Sequence, residues 1–175
     1  MNLIYAQRCA EKLINWLMPF CEKIQVAGSI RRERQTVGDV DLVVIPKLRT
    51  EKDLLGTITG HQNLVADEVR RRAAEERWTI LKDGPAYLVW MARTVQVDIW
   101  FATRATWGTV LMCRTGSKEH NIWLASRAGE MGGHWNPHHG LTIGQTTASE
   151  TEESIYQLAG VPFIEPGRRE AGQLP

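Results

Sequence analysis

Asp39 and Asp41 stand one residue apart in the run Val37-Gly-Asp-Val-Asp-Leu-Val-Val-Ile45, and a third aspartate, Asp98, lies in Val95-Gln-Val-Asp-Ile-Trp-Phe101. In an extended strand residues i and i+2 project to one face, so Asp39 and Asp41 point together while Val40, Leu42 and Val44 point the other way. Aspartate is depleted in strands, and a carboxylate near a core is costly without a cation to pair it. Mg²⁺ prefers oxygen ligands and is often held by one or two carboxylates plus substrate phosphate. With Asp98 supplied by a second strand, the trio reads as a two-metal phosphoryl-transfer site for two Mg²⁺ ions, with Mn²⁺ able to substitute.

Just upstream stands Gly28-Ser29. Glycine lets backbone approach a phosphate closely, and a serine hydroxyl with neighbouring N–H groups can hold phosphate oxygens where a turn opens a helix. Arg31 and Arg32 follow at once, and a guanidinium fork suits bidentate phosphate contact and offsets charge on a leaving pyrophosphate. Alone, Gly-Ser says nothing and an arginine pair is usually a solvated face. Ahead of an Asp-x-Asp strand, the four residues read as a triphosphate cradle.

Periodicity supplies the elements that must position these groups. Leu3, Ala6, Ala10, Leu13, Ile14 and Leu17 keep helical spacing up to Pro19. A short strand near 24–27 leads into Gly28-Ser29, a strand over 39–45 ends at Pro46, and 64–76 has the spacing of a helix with mixed charge. Strands near 78–81 and 86–91 flank a Lys82-Asp-Gly-Pro85 turn, and 95–101 follows. These predict an α+β lobe with a mixed sheet over residues 1–104. From Ala105 the pattern changes to two helical segments separated by Thr115-Gly-Ser117, then a hairpin-like stretch over 135–143. Ser149-Glu-Thr-Glu152 reads as a capping box for a helix that stops at Gly160. This second piece, 105–175, is mainly helical with a short β-hairpin, and Gly167–Pro175 reads as a tail.

Composition narrows the class. The 175 residues can bury a core, and no apolar run reaches the length of a membrane span. The N-terminus lacks the basic start and apolar centre of a signal peptide, so a cytoplasmic monomer without membrane contact is expected. Cys9, Cys21 and Cys113 lack metal-ligand spacing and read as reduced packing thiols. The net charge of +1 means that nucleic-acid binding must come from local patches or be weak. His134, His138 and His139 fall in a turn or hairpin, a poor setting for zinc. Arg70, Arg71 and Arg72 before Glu75 and Glu76 read as a salt-bridged helix face. Trp78, Trp90 and Trp100 read as packing residues, and Trp123 as a candidate neighbour of a template base.

Gly28-Ser29, Arg31-Arg32, Asp39-x-Asp41, Asp98, Thr115-Gly116-Ser117 with Asn121, Asn136 to Gly140-Leu141, and Phe163-Ile-Glu-Pro166 with Arg169 together resemble DNA polymerase family X, the DNA polymerase beta-like enzymes. The likeness runs over nearly the whole chain. Its first half is shared by the wider nucleotidyltransferase superfamily, whereas the Thr-Gly-Ser segment and the Pro-Arg ending are more specific. It implies a nucleotidyltransferase palm over 1–104 and a C-terminal nucleotide- and DNA-binding subdomain over 105–175, without a lyase domain or helix-hairpin-helix clamps.

The resemblance further implies that Asp39 and Asp41 bind both metals and that Asp98 binds the catalytic metal beside a primer 3′-hydroxyl. Ser29 and Arg32, in the turn that Gly28 opens and with Arg31 as helper, would hold the triphosphate. Gly116 and Ser117 would line the sugar and base pocket, and Asn121 would reach the minor-groove edge of the incoming base. The substrates would be a deoxynucleoside triphosphate and primer-template or gapped DNA, and the activity gap filling in repair. Two departures bear on selectivity. Cys113 and Arg114 replace the aromatics that commonly pack on the sugar, and Ala125 stands where DNA polymerase beta has a template-contacting arginine. A nucleotidyltransferase acting on protein, RNA or a small molecule, and a noncatalytic DNA-binding module, are the alternatives; the latter leaves three intact carboxylates unexplained.

Overall fold

The computed structural model describes residues 1–172. In chain order the elements are α1 (Leu3–Leu17), β1 (Cys21–Val26), α2 (Gly28–Arg31), β2 (Val40–Pro46), β3 (Leu48–Lys52), β4 (Ile58–Asn63) and α3 (Leu64–Glu76). Next come β5 (Thr79–Asp83), β6 (Tyr87–Ala92), β7 (Val95–Phe101), α4 (Trp107–Thr115) and α5 (Lys118–Glu130). The last are β8 (His134–Asn136), β9 (Gly140–Ile143), β10 (Thr146–Ala148) and α6 (Glu152–Leu158).

Five strands form one mixed sheet in the order β1-β2-β7-β6-β5. β2 and β7 run parallel, and the other neighbours are antiparallel. The apolar run of β2 is buried on both faces, as a central strand requires. Val40, Leu42 and Val44 pack with Ala6, Ala10 and Leu17 of α1 and with Val65 and Val69 of α3. Val43 and Ile45, on the opposite face, pack with Ala27, Ala102, Trp107 and Leu111. The alanines of α1 let that helix lie close to the sheet, and Asn2 caps it by accepting from the Tyr5 amide at 2.9 Å.

The second piece builds its own core from Met112, Leu124, Ala128, Leu141, Ile155 and Tyr156. α4 serves both cores, sending Trp107 and Leu111 one way and Met112 the other. It also crosses the entry to α6 at backbone distance: a Cβ added to Gly108 would lie 2.2 Å from the carbonyl carbon of Thr151. The Gly108 amide donates to Glu150 O at 3.1 Å across the same contact.

Several expectations are met closely, among them α1, α3, β7 and the break between α4 and α5. Arg70, Arg71 and Arg72 do pair along the face of α3, and Arg70 also reaches Asp83. Others are corrected. β2 begins at Val40, so Asp39 sits in the bend before the strand. The β3–β4 hairpin was not expected, because its strands are largely exposed and show little alternation of apolar and polar residues. The predicted hairpin near Trp135 carries a third strand, β10. The cap of α6 is Thr151, whose Oγ1 accepts from the Ser154 amide at 3.0 Å, while Ser149 Oγ donates to Ala105 O at 2.6 Å. The predicted tail is ordered structure at its start: Pro166–Arg168 form a 3₁₀ turn and Arg169 is fully buried. Gln173–Pro175 lie outside the described residues. Among the described residues no helix is long and apolar enough to cross a membrane.

Candidate active site

The parallel pairing of β2 with β7 sets Asp41 directly opposite Asp98. Asp39, in the bend that enters β2, joins them, and one carboxylate oxygen from each lies within 4.8 Å of the others. Burial, then repulsion from Asp39 and Asp98, pushes the Asp41 carboxyl up to about 7. Burial, with Asp39 adding to it, also raises Asp98, against the pull of the Gln96 amide that donates to its Oδ1 at 2.8 Å. The cluster is a set of hard oxygen donors short of positive charge. That donor set fits Mg²⁺ or Mn²⁺ and lacks the nitrogen and sulfur ligands typical of zinc. Among the described residues no comparable group forms around His134, His138 and His139.

The Gly28-Ser29 turn lies against the same carboxylates. Gly28 has φ +58°, and a Cβ there would stand 2.0 Å from Asp41 Oδ2, so only glycine fits. Ser29 Oγ is buried with no hydrogen-bond partner among the described residues. An orphan hydroxyl of this kind is destabilising by about 1–3 kcal/mol, and a bound oxyanion would relieve it.

The two arginines behave differently from each other. Arg31, expected beside the phosphates, turns to the second piece. Its Nη1 donates to Thr115 Oγ1 at 2.7 Å, and its Nη1 and Nη2 donate to Glu152 at 3.0 and 2.5 Å. Glu152 also accepts from Arg169 Nη1 at 2.7 Å, and the Arg169 guanidinium lies over the rings of Tyr156 and Phe163. Burial alone would raise the Glu152 carboxyl, but the Arg31 hydrogen bonds and the Arg169 charge outweigh it and hold the group below its ordinary range. Arg32 donates through Nε to Glu170 at 2.7 Å and through Nη1 to the Thr115 carbonyl, and its Nη2 carries no hydrogen bond among the described residues. Glu152 and Glu170 escaped sequence reasoning because they lie 121 and 138 residues from their partners, with no local signal.

Thr115-Gly116-Ser117 forms the turn between α4 and α5. Gly116 has φ +67° and an added Cβ would sit 3.3 Å from Arg32 Nη1. Ser117 caps α5, its Oγ accepting from the His120 amide at 3.3 Å. Asn121 donates through Nδ2 to the Cys113 carbonyl at 2.9 Å, and its Oδ1 lies 3.2 Å from His120 Nδ1. Arg114 stacks on Trp100, its guanidinium carbon 3.3 Å from the ring centroid. Burial lowers the Arg114 pKa, while Cys113, Asp41 and Asp98 favour the charged form. Trp100 is thus part of the site's wall, where packing alone had been expected. A cleft of about 380 Å³ opens beside Asp98, lined in part by Lys82, Tyr87, Trp100, Arg114 and His138.

Residues 110–170 match the family model for the DNA polymerase beta thumb. Over 174 residues the chain is 27% identical to the DNA polymerase/3′-5′ exonuclease PolX of Bacillus subtilis (strain 168), a match that covers 97% of this chain. The chain spans only 28% of that relative's length. Its fold is similar to the crystal structure of Leishmania infantum polymerase beta in a ternary P/T complex, with a TM-score of 0.71 and 19% identity, covering 97% of this chain and 76% of the other. It is likewise similar to the ternary gap complex of that polymerase, with a TM-score of 0.77 and 18% identity, covering 97% and 70%. The thumb match, the similarity over 97% of this chain and the mixed-sheet fold agree, and the chain resembles the family X DNA polymerases.

Proposed function

We propose that the chain is a DNA-directed nucleotidyltransferase that adds deoxynucleotides to a primer 3′-hydroxyl, acting in gap filling. The observation that carries this reading is the placement of three carboxylates within 4.8 Å of one another next to the Gly28-Ser29 turn, whose buried Ser29 hydroxyl has no partner among the described residues. Asp39 and Asp41 would hold two Mg²⁺ ions and Asp98 one of them. Bound there, such ions lower the pKa of an attacking hydroxyl and stabilise charge on the leaving pyrophosphate.

The chain's own residues do the rest. Gly28 brings the backbone close to Asp41, and Ser29 donates its hydroxyl hydrogen to a triphosphate oxygen. Arg32 offers Nη2 to the same group while Nε and Nη1 keep it anchored. Arg31 holds the C-terminal subdomain, 105–175, against the palm, 1–104, and so sets the height of the pocket. Gly116 and Ser117 line the sugar and base, and Asn121 meets the minor-groove edge. Gln96 orients Asp98.

Primer extension with Mg²⁺ or Mn²⁺ on gapped, nicked and single-stranded DNA tests the reading. Templated extension from a gap or primer-template end is expected. Transfer to a protein, RNA or small-molecule acceptor with none to any DNA would replace it with the alternative that the near-neutral charge favours.

A further inference from the structure

His120 is fully buried on α5, in direct contact with Asn121 and Tyr156. The hydrogen-bond roles in this chain of groups can be settled one at a time. The Cys113 carbonyl can only accept, so the Asn121 atom facing it at 2.9 Å is the amide nitrogen. Asn121 Oδ1 then faces His120 Nδ1 at 3.2 Å as an acceptor, and Nδ1 must carry the hydrogen. His120 Nε2 is left as an acceptor, and the Tyr156 hydroxyl donates to it at 2.6 Å. The other acceptor near that hydroxyl, Ile164 O, is 3.5 Å away. Burial, then the Arg169 charge, pushes the imidazole down to about 4, and burial raises the Tyr156 phenol to about 12, so both stay neutral across the physiological range.

We propose that His120 and Tyr156 are positioning residues that fix the Asn121 carboxamide with Nδ2 as its nucleotide-facing group. One Nδ2 hydrogen is held by Cys113, and the second is presented to an acceptor on the minor-groove edge of a base. Purine N3 and pyrimidine O2 are such acceptors. The relay makes both neighbours of the carboxamide favour one orientation: an imidazole with its hydrogen on Nε2 would accept at Nδ1 and favour the flipped amide, in opposition to the Cys113 carbonyl. The inference rests on the nucleotidyltransferase reading for the identity of the ligand. The tautomer does not.

Two measurements test it. Nitrogen-15 correlation spectra of the histidine rings in the unliganded chain should show His120 as the Nδ1–H tautomer, and Tyr156→Phe, which deletes only the hydroxyl, should shift it toward Nε2–H. An Nε2–H ring in the native chain would overturn the proposal without any activity assay. In single-gap incorporation, replacing dATP with 3-deaza-dATP removes the N3 acceptor and should raise KM about tenfold in the native chain, the worth of one hydrogen bond. Tyr156→Phe should narrow that penalty to about twofold, with kcat little changed. A native chain indifferent to the deaza substitution, or a Tyr156→Phe chain that keeps the full penalty, would sink the idea. A native chain that incorporates neither nucleotide would defeat the polymerase reading instead, and the spectra alone would then decide the relay.

Discussion

Asp98 accepts a hydrogen bond from Gln96, so one of its oxygens is already oriented before any ligand arrives. In the proposed reaction it serves the attacking hydroxyl. Asp98→Asn is therefore expected to lower the transfer rate about a thousandfold or more while triphosphate binding, measured by fluorescence titration, stays near native. Near-native turnover in that variant would remove Asp98 from the metal site. Arg114 sits on Trp100 where its charge offsets Asp41 and Asp98. Under the proposed metal site it would compete as an internal cation, so Arg114→Met should tighten Mn²⁺ binding by about fivefold at pH 8, read by electron paramagnetic resonance. Unchanged or weaker Mn²⁺ binding would exclude that role. The clustering of Asp41 and Asp98 was legible because strand periodicity is local and rarely places acids in a β-branched run, whereas Asp39 joins them from the bend before β2, where that periodicity does not apply. The place of Arg114 was not, since a residue on α4 meets Trp100 only once the helix has folded back over the sheet.

At the level of elements, α2 and α6 are clamped by one carboxylate between two guanidinium groups. Breaking a buried pair leaves an uncompensated charge, so Glu152→Gln should destabilise the chain by about 3 kcal/mol in denaturant titration. A loss below about 1 kcal/mol, the range of surface pairs, would mean that the clamp is not a stabilising contact. The pH dependence follows from the direction of the shift. The Glu152 carboxyl titrates lower folded than unfolded, so the unfolded chain binds more protons and stability rises with pH through that window. The contribution is present above pH 4.5, the group's ordinary value, and is lost as the pH falls through the lowered native one. The difference in stability between native and Glu152→Gln chains should accordingly shrink in acid. The sequence mis-set this helix start by reading Ser149 as the cap. The cap is Thr151 instead, because Ser149 is taken by Ala105 O and Glu152 by two distant arginines. The β3–β4 hairpin was hidden for a different reason: with little buried surface it has no periodicity to reveal it.

For the molecule as a whole, charge and size set the terms of any encounter with DNA. The formal charge is only +1, and Arg70, Arg71 and Arg72 are neutralised by acids on their own helix, so α3 offers no basic stripe to phosphates. Binding to gapped DNA should be weak, and its logarithm should fall with log salt at a slope of about −2 to −4, corresponding to a few phosphate contacts. A slope near −10, as large basic interfaces give, would show that more of the surface tracks the backbone. The change of periodicity after Ala105 is a local signal and was legible. The sharing of α4 between two cores was not, since it depends on a helix with two inner faces. α4 inserts Trp107 and Leu111 among Val43 and Ile45 while giving Met112 to the other core. A gene cut just before α4 would thus yield two polypeptides, each with raw apolar surface where the helix had been shared. Such halves should be soluble when made together and aggregate when made apart, so the protein is divisible in description but not in the test tube.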